Sequence, residues 1–106
     1  MKINEKVFKV LSNQIRLDIL KWLKNPLIEF ESVPKENLQY MLDHFGGICG
    51  TVIVDKSGLA QSTISSYLKD LQQVGLISSE RHGKWTYYKR NNNNIDAVGN
   101  FIQHEL

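Results

Sequence analysis

The chain has 106 residues, of which 42% are hydrophobic and 23% charged, so its size and composition are those of one globular domain and not of a disordered chain. Its longest apolar runs are three residues and its first residues lack a secretory signal, so we expect no membrane partner and a cytoplasmic location. The net charge is only +2, and the single cysteine excludes an internal disulfide and a CxxC metal or redox pair.

The spacing of apolar residues and the positions of turn residues predict a mostly helical chain with one β-hairpin. The clearest helix places Ile64, Leu68 and Leu71 at i, i+4 and i+7. Residues 51–57 are ambiguous, because the β-branched run Val52-Ile53-Val54 locally favours a strand, whereas the turn and helix that follow favour a short helix, which we predict. In chain order the predicted elements are a helix over 4–11, a helix from Ser12 or Asn13 to about Lys24, a loop over 25–33, a helix from Pro34 to Gly46, a short helix over 51–57, a helix from about Gln61 to Gln73, strands over 76–80 and 84–89 joined at Arg81-His82-Gly83, and a helix over about 93–105.

Positive charge is concentrated in one part of the chain. Residues 56–90 contain six basic and two acidic residues, a net charge of +4, whereas the other 71 residues contain seven basic and nine acidic residues, a net charge of −2. Such a distribution is typical of a surface that binds phosphates, although an unevenly charged solvated surface would look the same.

The stretch from Thr51 to Arg90 has the order of elements that a winged helix-turn-helix requires. The short helix, the turn at Ser57-Gly58-Leu59 and the helix from Gln61 form the helix-turn-helix, and the hairpin behind them forms the wing. We therefore predict a mainly α fold with a β-hairpin wing, the winged helix-turn-helix.

The exposed side of the helix from Gln61 carries short or amide-bearing polar side chains and one cation, whereas a solvated helix usually carries more Glu and Lys. Short polar groups can lie against a base edge or an adjacent phosphate in double-stranded DNA, and a basic hairpin tip can hold the DNA backbone beside them. The predicted DNA-binding residues are Gln61, Ser62, Thr63, Ser65, Ser66 and Lys69 of the helix and Arg81, His82 and Lys84 of the hairpin.

Five segments carry a resemblance to known proteins: residues 10–20, Gly58-Leu59-Ala60-Gln61-Ser62-Thr63-Ile64-Ser65, Leu68-Lys69-Asp70-Leu71, Gly75-Leu76-Ile77 and residues 81–88. In order and spacing they closely resemble the ArsR/SmtB-type repressors, over most of the chain and least over residues 25–48. The resemblance implies a helical body with a β-wing, and repression by operator binding. Ala60 stands where the family often has a Ser that caps the recognition helix, so we expect Ala60→Ser to raise stability.

The same resemblance implies a homodimer built from the first and last helices, so that one domain, residues 1–106, carries dimerisation helices at its two ends. The last helix has a wide apolar face, which a second subunit or the rest of the domain could cover. A dimer should prefer an inverted-repeat operator, and the sequence does not indicate which effector releases it. The predicted interface residues are Val7, Phe8, Leu11, Ile95, Val98, Phe101 and Ile102.

Many members of this family sense metals, but the sites they use are incomplete here. One family site needs a Cys-x-Cys pair, and this chain has Cys49-Gly50-Thr51, whose hydroxyl is a poor ligand for a soft metal. The other site is on the last helix, where Asp96, His104 and Glu105 do not have the family spacing. We therefore predict no metal and no cofactor.

Cys49 has two further interpretations. It could be a redox switch activated by His44, or a small thiol packed between helices, which we favour because free cysteines are among the most buried residues. No phosphate-binding loop, GxSxG motif or convincing carboxylate pair occurs, so we predict that the protein is not an enzyme. A small enzyme using Cys49 and His44, and a winged-helix module that binds only proteins, are the alternatives.

The aromatic residues of the second strand could stack on single-stranded bases. Because side chains alternate along a strand, we instead predict that Trp85 and Tyr87 share one face and Tyr88 lies on the other, with at least one face packed on the core.

Overall fold

The computed structural model describes residues 1–106 and contains seven helices and one three-stranded antiparallel sheet. None of the helices is long and apolar enough to cross a membrane. The predicted fold class, mainly α with a β-hairpin wing, is confirmed. The helices are α1 Glu5–Leu11, α2 Gln14–Lys24, α3 Pro26–Glu29, α4 Lys35–Phe45, α5 Gly50–Ser57, α6 Gln61–Gln73 and α7 Asn92–Glu105, and the strands are β1 Ile48–Cys49, β2 Ile77–His82 and β3 Trp85–Arg90, in the sheet order β1-β3-β2.

The hydrophobic core consists of 14 buried residues drawn from the sheet and from every helix except α3, which contributes the residue that follows it. Helix α6 is fixed to this core by Ile64, Leu68 and Leu71, none of which is more than 2% exposed. Burying side chains of this size stabilises the fold by about 1.5–3 kcal/mol each. The polar side of α6 is therefore held outward by its apolar side.

The predicted helix-turn-helix is present as α5, a turn and α6. Helix α5 forms in spite of its β-branched residues because Ile53 is completely buried in the core, with Val52 and Val54 packed against its edge. The helix ends at Gly58, whose φ of +67° places it in the left-handed region that favours glycine, and whose N–H donates to the Val54 carbonyl over 3.2 Å. Tertiary burial thus outweighs the local strand preference.

The wing is a tight hairpin whose strands run further than predicted. Strand β2 includes His82, which pairs with Trp85, so the turn consists of Gly83 and Lys84 alone. Gly83 has a φ of +65°, as a two-residue hairpin turn requires. The cross-strand pair of Glu80 with Tyr87 confirms that Trp85 and Tyr87 share one face, opposite to that of Tyr88.

Two elements correct the sequence-based prediction. The predicted loop over 25–33 contains α3, because Pro26 occupies the first turn of a short helix, where its missing N–H costs nothing. The two-residue strand β1 was not predicted, since it exists only through its pairing with β3. Gly47 precedes β1 and permits that pairing, because a Cβ there would collide with the Tyr88 carbonyl.

Val7 and Val98, both predicted at a dimer interface, lie in the core of their own chain and are 1% and 6% exposed. Helix α1 turns Val7 inward, so it is not available to a second subunit, whereas Val98 on α7 also lines a surface groove. The apolar faces of α1 and α7 are thus partly covered within the chain.

Candidate nucleic-acid interface

The polar side of α6 is open to solvent along its whole length. Ser62, Ser66 and Lys69 recur at helical spacing on the side opposite the buried residues, and all three are exposed. Gln61 and Ser65 are also exposed, whereas Thr63 is half-buried. The side chains predicted to contact DNA therefore form one face of α6, with Thr63 at its margin.

The wing lies beside this face of α6. A cleft of about 410 Å³ is lined by Gln61 and Ser65 on one side and by Lys84, Thr86 and Tyr88 on the other. The structure therefore brings two of the predicted α6 residues, Gln61 and Ser65, together with Lys84, the predicted cation of the hairpin turn.

A second cleft, of about 350 Å³, adjoins the first and shares Ser65 and Tyr88 with it. It extends along α6 past Lys69 to Gln72 and Gln73, two exposed amides that were not among the predicted contacts. Together the clefts form a continuous groove between α6 and β3. We call this groove and the outer side of α6, including Lys69 and Lys84, the α6–wing surface.

Three predicted cations of this region are exposed and make no ion pair with a carboxylate: Lys69, Arg81 and Lys84. Arg81 Nε donates to the Gly83 carbonyl over 2.9 Å, and Lys84 Nζ lies 5.3 Å from the centre of the Trp85 ring. These contacts position the cations without neutralising them, so their charge is available to a phosphate.

Other basic residues of the positive stretch are engaged within the chain. Lys56 lies over the Trp22 ring at 5.8 Å, and Arg90 Nη1 donates to Asn92 Oδ1 over 2.8 Å. Asp55 lines the first cleft and is the acidic group of that surface. Only part of the excess positive charge of residues 56–90 therefore lies on the α6–wing surface.

His82 occupies a different place from the one predicted. Its ring lies 4.8 Å from the Phe45 ring, and its Nε2 lies 3.3 Å from Glu80 Oε1, on the face of the wing that is turned away from α6. The strand period could have indicated this, because residues two apart share a face, and Glu80 is opposite Tyr87. His82 is therefore not placed beside α6, and it does not share the surface of the other predicted phosphate contacts.

Arg16 supports α6 from the flank opposite the wing, and the sequence reading did not single it out. Its Nη1 donates to Asp70 Oδ2 over 3.1 Å, and its Nε donates to the Val10 carbonyl over 2.7 Å. The guanidinium also lies 5.1 Å from the centre of the Tyr67 ring. One side chain on α2 thus connects the end of α1 with α6, and because Arg16 and Asp70 are 54 residues apart, no local pattern could reveal their pairing.

A second, apolar surface lies at the two ends of the chain. Phe8 and Phe101 pack at 6.1 Å between ring centres, which joins α1 to α7 within one chain. Beside them a mainly apolar groove of about 540 Å³ is lined by Leu11, Leu17, Ile95, Val98 and Ile102 among others, and its lining also includes the cations Lys21, Lys24 and Arg90. We call it the terminal-helix groove. Leu17 and Ile102 are 36% and 49% exposed, so the groove is incompletely covered.

Cys49 is buried in β1, in agreement with the interpretation of a packed thiol, and its Sγ lies 3.2 Å from Thr51 Oγ1. His44, the proposed activator, instead stacks on Tyr40 at 4.0 Å between ring centres. No group of three or more His, Cys, Asp and Glu side chains is placed to hold a metal ion.

Burial raises the pKa of the Tyr88 hydroxyl above its ordinary value near 10, and the neighbouring Cys49 raises it further. The pKa of Tyr87 is raised by the same two causes and by Tyr40. Both phenols lie on β3, one on each face of the wing.

Comparison with known proteins gives the same type of molecule. The chain is 44% identical over 100 residues to an uncharacterized HTH-type transcriptional regulator, YbzH, of Bacillus subtilis (strain 168), across 94% of this chain and 95% of that protein. It is 28% identical over 94 residues to the arsenical resistance operon repressor of the same organism, across 89% and 71% of the two chains.

Among solved structures, the homodimeric winged helix-turn-helix DNA-binding domain of a possible ArsR-family transcriptional regulator from Mycobacterium bovis has a TM-score of 0.61 with this chain. The match covers 93% of this chain and 73% of that one, at 23% sequence identity. No protein-family model matches the chain.

The exposed polar helix beside a basic hairpin defines a winged helix-turn-helix protein of the kind that binds DNA. The near-complete match to YbzH makes the assignment more specific, and the chain belongs to the HTH-type transcriptional regulators. These are DNA-binding proteins and not enzymes. The resemblance to the ArsR/SmtB-type repressors is confirmed.

Proposed function

We propose that the protein is a homodimeric repressor that binds an inverted-repeat operator in double-stranded DNA and leaves it in response to an unidentified effector. Residues 1–106 would form one winged-helix domain with dimerisation helices at its ends, acting in the cytoplasm, where such an operator would be found. The observation that carries the proposal is that Gln61 and Ser65 on the polar face of α6 line one cleft together with Lys84, a cation of the wing that makes no ion pair.

In this arrangement α6 lies in the major groove, which is wide enough to admit an α-helix. Its short side chains would approach base edges and adjacent phosphates closely, while the cations hold the backbone on either side. The proposed base-edge or adjacent contacts are Gln61, Ser62, Thr63, Ser65 and Ser66, and the proposed backbone contacts are Lys69, Arg81 and Lys84.

The terminal-helix groove supports the dimer. Covering its exposed apolar side chains with a second copy is favourable, because it removes apolar surface from water. The same helices would then set the distance between the two recognition helices of the dimer. The Mycobacterium bovis domain of similar fold is homodimeric. The proposed interface consists of Phe8, Leu11, Leu17, Ile95, Val98, Phe101 and Ile102, without the fully buried Val7.

Repression is supported by the relationship to the arsenical resistance operon repressor of Bacillus subtilis. A repressor of this kind needs only to occupy DNA, and the residues described above provide for that without any further activity. The effector that would release the protein is a separate question, because the two chains share only 28% of their residues over the match.

The test is a fluorescence anisotropy titration against duplexes selected from a random-sequence library with the purified protein. Lys84→Ala should weaken binding to every duplex by a similar factor and lower the slope of log K against log salt by about 1, because one phosphate contact is lost. Gln61→Ala should instead change the ranking of the duplexes, because it alters a contact near the bases. Lys35→Ala removes the same charge from the start of α4 and serves as the control.

Two results would contradict the proposal. If the protein shows no salt-dependent binding to any duplex at low salt, the module that binds only proteins is the better explanation. If Lys84→Ala and Gln61→Ala bind every duplex as the parent does, the α6–wing surface is not the one that contacts DNA.

A further inference from the structure

A third cavity lies on the face of the wing that is turned away from α6. It is formed by α4, the start of α5 and β3 and has a volume of about 450 Å³. Small-molecule sites have volumes of roughly 300–1,000 Å³, so this cavity is large enough for a compact organic ligand. None of the residues proposed to contact DNA lines it.

The walls of this cavity are mainly aromatic. Phe45 and Tyr87 stack at 4.4 Å between ring centres, while Tyr40 and Trp85 remain 54% and 45% exposed beside them. Large aromatic side chains left uncovered around a concave surface are costly in water, and they commonly mark a ligand site. The cavity therefore has flat apolar surfaces to offer to a bound molecule.

The charge of the cavity has one sign. Glu36 is the only charged residue in its lining, and the Glu36 carboxylate makes no ion pair. The faces of aromatic rings carry partial negative charge and attract cations. Lys84 lies over the Trp85 ring but lines the cleft on the α6 side and not this cavity. The Glu36 carboxylate and the ring faces of the lining thus favour a positively charged ligand.

We propose that this cavity binds a small organic cation with an aromatic or otherwise apolar body, such as a quaternary ammonium compound. The charged group would be held between the Glu36 carboxylate and the exposed rings of Tyr40 and Trp85. The apolar body would pack toward the stacked pair of Phe45 and Tyr87, where Met41 and Val52 complete the lining.

The cavity is connected to the α6–wing surface. Cys49, Thr51 and Trp85 line both this cavity and the cleft beside α6, so the two are separated by a single layer of side chains. A cation bound against the Trp85 ring would repel Lys84, which already lies over that ring. Because Lys84 is a proposed phosphate contact, we expect the cation to weaken binding to duplex DNA, a step that rests on the proposed function.

Isothermal titration calorimetry of the purified protein with three probes tests the site without DNA. The probes share a naphthalene ring and differ in charge: naphthylmethyl-trimethylammonium, naphthalenemethanol and naphthalenesulfonate. We expect the cation to bind about tenfold more tightly than the neutral alcohol, and the anion to bind most weakly. Glu36→Gln should remove most of this preference, and Glu31→Gln, an exposed carboxylate outside the cavity, should retain it.

Trp85→Ala should weaken binding of the cation and of the neutral probe, because both lose the aromatic wall, and thermal melting should show that each variant is folded. The site is refuted if the cation gives no binding heat at millimolar concentration. Equal binding of all three probes, or the same affinity in Glu36→Gln and Glu31→Gln, refutes the cationic class.

A second titration measures duplex binding with the cation present at saturation. We expect the dissociation constant of the duplex to rise about fivefold or more, and Glu36→Gln to reduce this effect. An unchanged dissociation constant refutes the connection between the cavity and the wing. A protein that binds the cation but no duplex contradicts the proposed function and leaves the cavity site established, so the two failures are distinguishable.

Discussion

The α6–wing surface and the terminal-helix groove differ in what a single chain provides. The first is polar, and its side chains are stable in water as they stand, held in place by the buried side of α6. The second exposes Leu17 and Ile102 beside a concave, mainly apolar groove, and covering these side chains lowers the free energy of the protein. A polar binding surface is stable in water without its ligand, whereas an exposed apolar surface is unfavourable in water unless a permanent partner covers it.

The largest expected effect comes from placing a charge in the apolar groove. Ile102→Glu would put a carboxylate among the apolar side chains of the proposed interface, and the desolvation of a buried charge costs several kcal/mol, which the cations Lys21, Lys24 and Arg90 of the groove would offset only in part. We expect the dimer to dissociate and the affinity for an inverted-repeat duplex to fall by about 100-fold or more. Sedimentation equilibrium and anisotropy titrations measure the two effects.

Ile28→Glu is the matched control, because Ile28 is 70% exposed on α3 and does not line the groove. This variant should dimerise and bind DNA as the parent does. A dimeric Ile102→Glu would show that the two surfaces do not differ in the way described, and that a different face joins the subunits.

The next largest effect is expected on stability, from removing Arg16, which supports α6 on the side away from the wing. Arg16→Ala removes the pair with Asp70 and the hydrogen bonds that Arg16 donates to α1. Because the guanidinium is mostly buried and bonds to a charged group, we expect a loss of about 2 kcal/mol in the free energy of unfolding, measured by urea denaturation.

Arg81→Ala removes an equal side chain from the exposed wing, where its one hydrogen bond returns to its own hairpin, and should cost less than about 0.5 kcal/mol. If both variants lose the same stability, Arg16 is not a support for α6. Arg81→Ala should instead weaken DNA binding, so that one arginine acts on stability and the other on the surface.

The difference between the two surfaces also explains how much could be predicted from the sequence. The helix-turn-helix follows from local signals: a 3.6-residue period in Ile64, Leu68 and Leu71, and a glycine at the turn. The outward side chains of α6 follow from the same period, because a helix that buries one side must expose the other. Most of the candidate site was therefore predictable.

The groove was less predictable, because periodicity identifies an apolar face but not what covers it. Val7 and Val98 have the same pattern as Leu11 and Ile102, yet the first two lie in their own core. For the same reason β1 and the pair of Arg16 with Asp70 were missed, since each depends on partners distant in sequence. His82 was misplaced through an error in the length of the hairpin turn.

A smaller effect concerns the start of α6. Ala60 is the N-cap and provides no side-chain acceptor for the first N–H groups of the helix. Ala60→Ser should supply one, stabilising the protein by about 1 kcal/mol and raising the melting midpoint by roughly 4–8 °C. Ala60→Val, which lacks an acceptor, should not be stabilised. A melting midpoint that does not rise for Ala60→Ser would show that the recognition helix begins at another residue.

The smallest effect is a loss of stability in alkali. It concerns the polar surface alone, because the tyrosine responsible lies beside α6 and not in the terminal-helix groove. Tyr88 lies beside α6, and burial raises the pKa of its hydroxyl. Above about pH 10 the tyrosine of the unfolded chain therefore ionises before that of the folded chain, and the free energy of unfolding falls. Below this pH the tyrosine is neutral in both states and has no effect on stability. Tyr88→Phe should therefore reduce this loss in the free energy of unfolding by less than about 1 kcal/mol, measured by urea denaturation between about pH 9 and 11.

Tyr40→Phe, which removes the hydroxyl of an exposed tyrosine, is the control. Because no tyrosine lines the terminal-helix groove, dimerisation should not respond to either substitution, and a dimer that weakens with Tyr88→Phe would mean that the two surfaces are not independent.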